Sequence, residues 1–345
     1  MLKVATKVVK AKVINPTKRK QGLLEREFNA FQDVIHNLDA PLYSATKQQA
    51  ERIRKRLNGR KTYPLILRRD VIKLQAQDTQ LVPYWFRMPV YGLRGGVWLP
   101  IKPHCGIPED ISVREAKLIR KPKGWFIYIT IQKEVEVPEP QGRSVVSVDL
   151  GERYIATSVR FNSNIASPRF YGKEVRGIRR HYAWLRKRLQ EQGLNDVVER
   201  IGSTERRKVD AILHQVSRSI VDEAKATDST IILGELKGIR GKAKGKRMNR
   251  IISAMPYYRL SQIIAYKALW EGIPVVKVPE AYTSKACHRC GSIGSRPYQG
   301  LFLCHSCGLH YNADLNGAIN ISKRALDYMS SAGAPLTEPL TQVCA

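Results

Sequence analysis

The 345-residue chain carries 59 Lys and Arg against 30 Asp and Glu, a net charge of +29, and 43% of its residues are hydrophobic. That apolar fraction excludes a disordered or fibrous protein, the length suits two or three domains with proper cores, and no apolar run approaches the roughly 18 residues of a membrane span. Positive charge spread along nearly the whole chain makes nucleic acid the leading partner and an anionic membrane surface the second.

The N-terminal MLKVATKVVKAKV interleaves Lys with apolar residues instead of forming a signal-peptide core, so a soluble intracellular protein is expected. It alternates as a strand, with a phase shift between Val8 and Val9 that predicts a bulge or bend. After NPTKRK the period becomes helical from Leu23 to about Leu57. Leu24, Phe28, Phe31 and Ile35 form one face, followed by the basic helix QQAERIRKRLNGR. Residues 82–137 return to aromatic-rich strands broken by Gly and Pro, so a β-rich unit begins at residue 2, is interrupted by helices, and resumes. EVPEPQGR, 136–143, reads as a linker.

Beyond it the pattern is α/β. SVVSVDLGERYIATSV reads as two strands joined at LGER, and residues 174–200 as a charged helix. Val209, Ile212, Leu213, Val216, Ile220, Val221 and Ala224 give a second helix its core face. STIILGEL reads as a buried parallel strand. A basic loop from Gly238 to Arg250, a helix around Leu260 to Leu269 and the strand PVVKV follow, making a parallel βαβ unit. A final helix is expected from about Asn312 to Tyr328, then a mobile tail.

Two CxxC pairs, Cys287/Cys290 and Cys304/Cys307, each followed by a glycine, supply four thiolates for a tetrahedral site, with zinc the natural occupant. Two disulfides, disfavoured in a reducing compartment, and an iron–sulfur site are the alternatives. Four protein ligands leave no open position, which makes the metal structural.

Three acidic residues stand at the ends of elements: Asp149 and Glu235 end strands, and Asp314 sits in the first turn of the last helix. Each alone has an ordinary role, as turn former, exposed strand end or helix-start charge. In a parallel α/β sheet, however, strand C-termini and helix N-termini share one edge, so the three can converge there. Crowded carboxylates need compensating cations. Two Mg²⁺ or Mn²⁺ ions roughly 4 Å apart would activate water and stabilise the leaving oxygen in phosphodiester hydrolysis.

DLGERYIA, LGELKGI, AYTSKACHRCGS and CHSCGLHYNADLNGAINI, in that order, resemble the C-terminal half of the TnpB family, transposon-encoded proteins related to type V CRISPR effectors. The resemblance is specific over about residues 144–326, and the N-terminal half matches only in layout. It implies a multidomain α/β and α+β chain, with a β-barrel-like wedge domain at 1–18 and 80–138 and a helical recognition lobe at 19–79. A RuvC-like, RNase H-fold nuclease is implied at 144–282 and 311–328, a zinc ribbon at 283–310, and a tail at 329–345. It further implies Asp149, Glu235 and Asp314 as catalytic Mg²⁺ ligands, one structural zinc, and RNA-guided cleavage of DNA with guide RNA and target DNA as partners. Tyr311-Asn312-Ala313-Asp314 departs from the DRD-like approach of many members but keeps the acid.

A heteroduplex of RNA and DNA calls for distributed basic residues. Candidate contacts are Lys242, Lys244, Lys246, Arg247 and Arg250 in the basic loop, read as a lid over the cleavage centre or a solvated loop. Arg52, Arg54, Lys55 and Arg56 on the basic helix are read as phosphate contacts or a solvated face. Rival functions are a guide-independent RNase H-like nuclease, a nucleic-acid-binding regulator on an inactive fold, and an authentic transposase.

Overall fold

The computed structural model describes residues 1–55, 62–77, 79, 81–140, 144–162, 164–165, 168–235, 245, 249, 255–280, 282–298 and 300–331. The chain forms two compact units, Val4–Glu134, and Met1–Lys3 with Val135–Ala345.

The first unit is built on a seven-stranded sheet of β1 (Leu2–Val13), β2 (Leu65–Arg68), β3 (Lys73–Ala76), β4 (Tyr84–Val90), β5 (Leu93–Pro103), β6 (Ser112–Lys121) and β7 (Gly124–Glu136). Its order is β2-β6-β7-β1-β5-β4-β3. The predicted shift at Val8/Val9 does not occur: Ala5, Val9, Ala11 and Val13 are all buried and share one phase. The register breaks instead between Met88 and Val90 and between Val113 and Glu115. The helical stretch is two helices, α1 (Lys18–Ile35) and α2 (Ser44–Arg54). Asn37, at φ 67°, and Pro41 separate them. The predicted face Leu24, Phe28, Phe31 and Ile35 is buried, with Phe28 edge-on to Trp125 of β7 at 5.4 Å. Buried Glu27 accepts the Tyr43 and Tyr91 backbone N–H groups, tying α1 to two loops. The segment 19–79, expected as a helical recognition lobe, also holds β2 and β3 beyond its helical stretch, and their short alternating runs pair with β6 and β4.

The second unit contains a six-stranded sheet of β8 (Val145–Asp149), β9 (Ala156–Asn162), β10 (Asn164–Ile165), β11 (Arg169–Tyr171), β12 (Thr230–Glu235) and β13 (Val275–Pro279). The order is β10-β9-β8-β12-β13, with β11 also on β9. β8 and β9 are the antiparallel pair expected around LGER, and β12 runs parallel to both β8 and β13. The charged helix is shorter than expected. α3 (Glu174–Glu191) stops where Gly193 at φ 72° turns the chain, with the Leu194 N–H bonded to the Leu189 carbonyl. α4 (Asn195–Ala226) then runs for 32 residues. With α5 (Tyr257–Trp270) it covers one sheet face, burying Val146, Val148, Ile231 and Leu233 against Val209, Leu213, Ile220, Leu260 and Ile264. The other face belongs to α6 (Ala313–Ser331), where Val145, Ile232, Val276 and Val278 meet Ile321 and Ala325. Between β13 and α6 lies a small module with the two-stranded sheet β14 (Leu301–Leu303) and β15 (His310–Asn312). No helix among the described residues is long and apolar enough to cross a membrane.

Candidate active site and cysteine cluster

Strand alternation decides which side chains meet at the sheet edge. Along β8, Val145, Ser147 and Asp149 face α6. The Ser147 hydroxyl donates to the Ala318 carbonyl at 2.8 Å and accepts from the Ser322 hydroxyl at 2.6 Å, so the helix is pinned directly over the strand. At Asp149 the approach is so close that a Cβ on Gly317 would lie 2.5 Å from its Oδ2. One turn earlier on the same helix face stands Asp314, whose Oδ1 lies 3.7 Å from where a Gly151 side chain would begin. Asn312 caps this helix, its Oδ1 accepting the backbone N–H groups of Asp314 and Leu315, each at 3.0 Å. The variation in the Tyr311-Asn312-Ala313-Asp314 approach therefore supplies the turn that presents Asp314.

Asp149 and Asp314 thus come together. Burial, reinforced by the Asp314 charge, pushes the Asp149 carboxyl up to about 7, against a smaller opposing pull from Arg296. Burial also raises Asp314, which Arg296 and Arg153 partly offset. The Arg296 guanidinium lies 3.5 Å from Asp314 Oδ1. Asp314 is 7% exposed, and its Oδ2 has no hydrogen-bond partner.

Glu235 is placed differently. It ends β12 as expected, but one residue out of phase with the cluster. Ile232 and Gly234 face α6, and Leu233 and Glu235 alternate to the side of α4 and α5. The α6 side at this edge carries a carboxylate outside the expected three, Glu280, directly after β13. Burial and the Asp149 charge push it up to about 8. Tyr257, at the start of α5, is held neutral by burial and by the surrounding charges of Glu152, Asp149, Glu280 and Asp314. A signal for Glu280 was present: like Asp149, it is an acid closing a short apolar strand.

The four cysteines Cys287, Cys290, Cys304 and Cys307 gather with all sulfurs within 4.8 Å of one another. The Cys287–Cys307 and Cys290–Cys304 sulfur pairs are 3.7 and 3.5 Å apart. A tetrahedron with Zn–S bonds of about 2.3 Å sets its sulfurs about 3.8 Å apart, so the cluster fits a four-thiolate metal site. Each knuckle is closed by a backbone bond from the glycine after the pair, Gly291 N–H to the Cys287 carbonyl and Gly308 N–H to the Cys304 carbonyl. Both glycines have positive φ, 78° and 70°. Hydrogen bonds from Ser292 hold the Cys290 thiol down to about 6, favouring thiolate. α6 fixes the module: Asn316 Oδ1 accepts the His288 backbone N–H at 3.0 Å, and the Asn320 amide donates to the Thr283 and Ala286 carbonyls, each at 2.7 Å. The helix that carries Asp314 therefore also anchors the cysteine module.

Of the expected nucleic-acid contacts, Arg52, Arg54 and Lys55 are exposed on or just beyond α2, with Arg54 bonded to Asn37. Arg52 joins Arg68, Arg69 and Arg114 around a basic recess. Arg56, Lys242, Lys244, Lys246, Arg247 and Arg250 lie outside the described residues.

With this geometry in place, the similarities of the chain are informative. Residues 257–321, from α5 into α6, match the Cas12f1-like, TNB domain. A TnpB-like protein of Methanocaldococcus jannaschii is 26% identical over 193 residues, 53% of this chain and 69% of that protein. The chain is similar to TnpB-like proteins. The CRISPR-associated endodeoxyribonuclease Cas12f1 of Sulfoacidibacillus thermotolerans is 31% identical over 220 residues, covering 59% of this chain. The aligned part spans about half of that relative, 51%. Among solved structures, a Cas12f1–sgRNA–target DNA complex shares the fold with a TM-score of 0.55 at 13% identity, covering 80% of this chain and 68% of that one.

One prediction follows from the crowding at Gly317. In an ordinary helix interior Gly→Ala gains up to about 1 kcal/mol. Here the added methyl would meet Asp149 Oδ2 at 2.5 Å. Gly317→Ala is therefore expected to displace the Asp149 carboxylate from beside Asp314, so that the Asp149 carboxyl titrates lower while thermal stability changes little. An Asp149 titration unchanged by NMR would show that the helix yields instead.

Proposed function

We propose that the chain is an RNA-guided DNA endonuclease of transposon origin, hydrolysing phosphodiesters at the edge of the second sheet with divalent metal ions. The observation that carries this reading is the meeting of Asp149 with the buried Asp314, whose Oδ2 lacks a hydrogen-bond partner, in a chain similar to TnpB-like proteins. The strand order β10-β9-β8-β12-β13, with β11 also on β9 and β9 antiparallel to β8, suits an RNase H-like nuclease. Two crowded, largely desolvated carboxylates are stabilised as anions by neighbouring cations, which fits them for Mg²⁺ or Mn²⁺. Bound there, such ions supply an activated water and neutralise charge at the leaving oxygen. Asp149 and Asp314 hold them in place. Arg296 and Arg153 bring positive charge beside the site and can meet the scissile phosphate, and neutral Tyr257 can donate a hydrogen bond.

The cysteine module is read as a zinc ribbon with a structural role, because all four thiols face one point and leave no position for substrate. The net charge of +29 suits a protein that grips a guide RNA paired with target DNA. In this reading the seven-stranded sheet is the wedge domain and α1 and α2 belong to the recognition lobe. The test is expression beside the native flanking DNA, purification, and sequencing of bound RNA. A discrete structured RNA is expected, and reprogramming its 3′ segment should redirect Mg²⁺-dependent cleavage to the matching DNA. RNA-free protein that cuts without regard to sequence would instead establish the guide-independent nuclease.

A further inference from the structure

Two carboxylates rarely suffice to hold a pair of divalent ions, and the sequence offers Glu235 as the third. The register rules against that choice. β12 pairs in parallel with β8 through Leu233 and Val148, which makes Gly234 the neighbour of Asp149 on the α6 side. Side chains alternate along a strand, so Glu235 leaves on the opposite side, with a sheet between it and Asp314. The position at which a β12 side chain would join Asp149 is occupied by a glycine.

The space above that glycine is filled from the next strand. A Cβ built on Gly234 would fall 1.7 Å from Glu280 Oε1 and 2.4 Å from the carboxyl carbon. Glu280 follows β13, whose Val276 and Val278 share the α6 side. The same alternation carries Glu280 there. Its carboxylate thus lies where the first atoms of a β12 side chain would have been. Glu280 Oε1 is buried and lacks any hydrogen-bond partner, as is Asp314 Oδ2, although Asp314 is 7% exposed. Buried carboxylate oxygens are normally satisfied by N–H or O–H donors. Two unsatisfied oxygens on the same side of the sheet edge, one from Glu280 and one from Asp314, form an acceptor set suited to a divalent cation.

We propose that Glu280, and not Glu235, is the third carboxylate of the metal site, reached from β13 across a glycine that leaves β12 without a side chain. The inference rests on the nuclease reading above and names which residue completes it. Gly234 has a role in this arrangement: any side chain there collides with the Glu280 carboxyl, so the two positions exclude one another.

The test uses the protein with its bound RNA and Mn²⁺ as the probe, followed by electron paramagnetic resonance of free Mn²⁺ alongside a cleavage assay. Glu280→Gln, nearly isosteric, should raise the Mn²⁺ midpoint at least about 10-fold, since even outer partners of metal ligands cost about 10- to 100-fold. Glu235→Gln should leave that midpoint within about twofold of wild type. The exchange variant, Gly234→Glu with Glu280→Gly, should recover most of the lost affinity because it returns a carboxylate to the same space from the other strand, and this readout does not depend on how well Glu280→Gln folds. A shifted midpoint in Glu235→Gln with none in Glu280→Gln would overturn the assignment while leaving the nuclease reading intact. Cleavage that survives Asp149→Ala would remove the nuclease reading itself.

Discussion

Replacing Asp149 by alanine is expected to abolish Mg²⁺-dependent DNA cleavage, by at least about 10²–10³-fold, while RNA and DNA binding stay near wild type. The first effect follows from losing a buried charge in the middle of the site, the scale on which single preorganised electrostatic groups act. The second follows from the +29 net charge, which one buried acid hardly alters. The same substitution should act in the opposite direction on metal-free stability. Asp149 is raised to about 7 in the fold, against about 3.9 in an unfolded chain. A raised folded value means that the folded state holds the proton more tightly. The full benefit is present below about pH 4 and is lost as pH rises through about 7. Glu280, raised to about 8, acts in the same sense.

Wild-type protein in chelator should therefore melt at a lower temperature at pH 8 than at pH 5, and Asp149→Ala should reduce that fall by several degrees. Added Mg²⁺ should restore wild type at pH 8 through mass action on the folded state and restore the variant far less. Differential scanning calorimetry at the two pH values, with and without Mg²⁺, reads all four terms. Equal pH profiles for the two proteins would mean that Asp149 is not titrating in the fold.

Replacing Cys304 by serine is expected to remove the bound zinc, from about one per chain to essentially none, and to unfold the module between β13 and α6. Structural zinc contributes on the order of 10 kcal/mol to the folding of small finger peptides, so a module with one short hairpin has little else to hold it. Cys304 is buried, and its backbone N–H and carbonyl close its own knuckle with Leu309 and Gly308. Loss should not stop at the module. Arg296, 3.5 Å from Asp314, comes from between the two knuckles, and Asn316 and Asn320 tie α6 to residues 283–288. Cleavage should thus fall together with zinc content, while the core of Ile231, Leu233 and Val221 behind the sheet keeps most of its hydrogen-exchange protection. Unchanged zinc by mass spectrometry in Cys304→Ser would contradict a four-cysteine site.

Comparing the two predictions shows which parts of the site could be read ahead of the fold. The cysteine module was legible because its chemistry is local: two residues between the thiols of a pair, followed by a glycine, suffice to aim both sulfurs at one point. Asp314 was legible because a helix start is a local feature, and the Asn312 cap that presents it lies two residues away. The core faces of α1 and α4 followed from a 3.6-residue period that tertiary packing only had to accept. The helix boundaries were less secure. The Gly193 turn that splits α3 from α4 was visible as a glycine, but the charged stretch on either side hid it. The small strands at 65–68 and 73–76 exist because β6 and β4 offer them edges to pair with, which no local pattern states.

The third carboxylate marks the boundary between what sequence and structure each supply. By itself, the amino-acid sequence determined that a basic chain carries a four-cysteine module, a parallel βαβ core and acids that close its elements, because each depends on spacing, period or residue chemistry over a few residues. Only the tertiary structure decided which acids face one another. Adjacent residues on a strand point to opposite sides of the sheet, so a shift of one position between Gly234 and Glu235 moves a charge from one layer to the other, and the pairing of β8, β12 and β13 selects Glu280 for the side on which Asp149 and Asp314 meet.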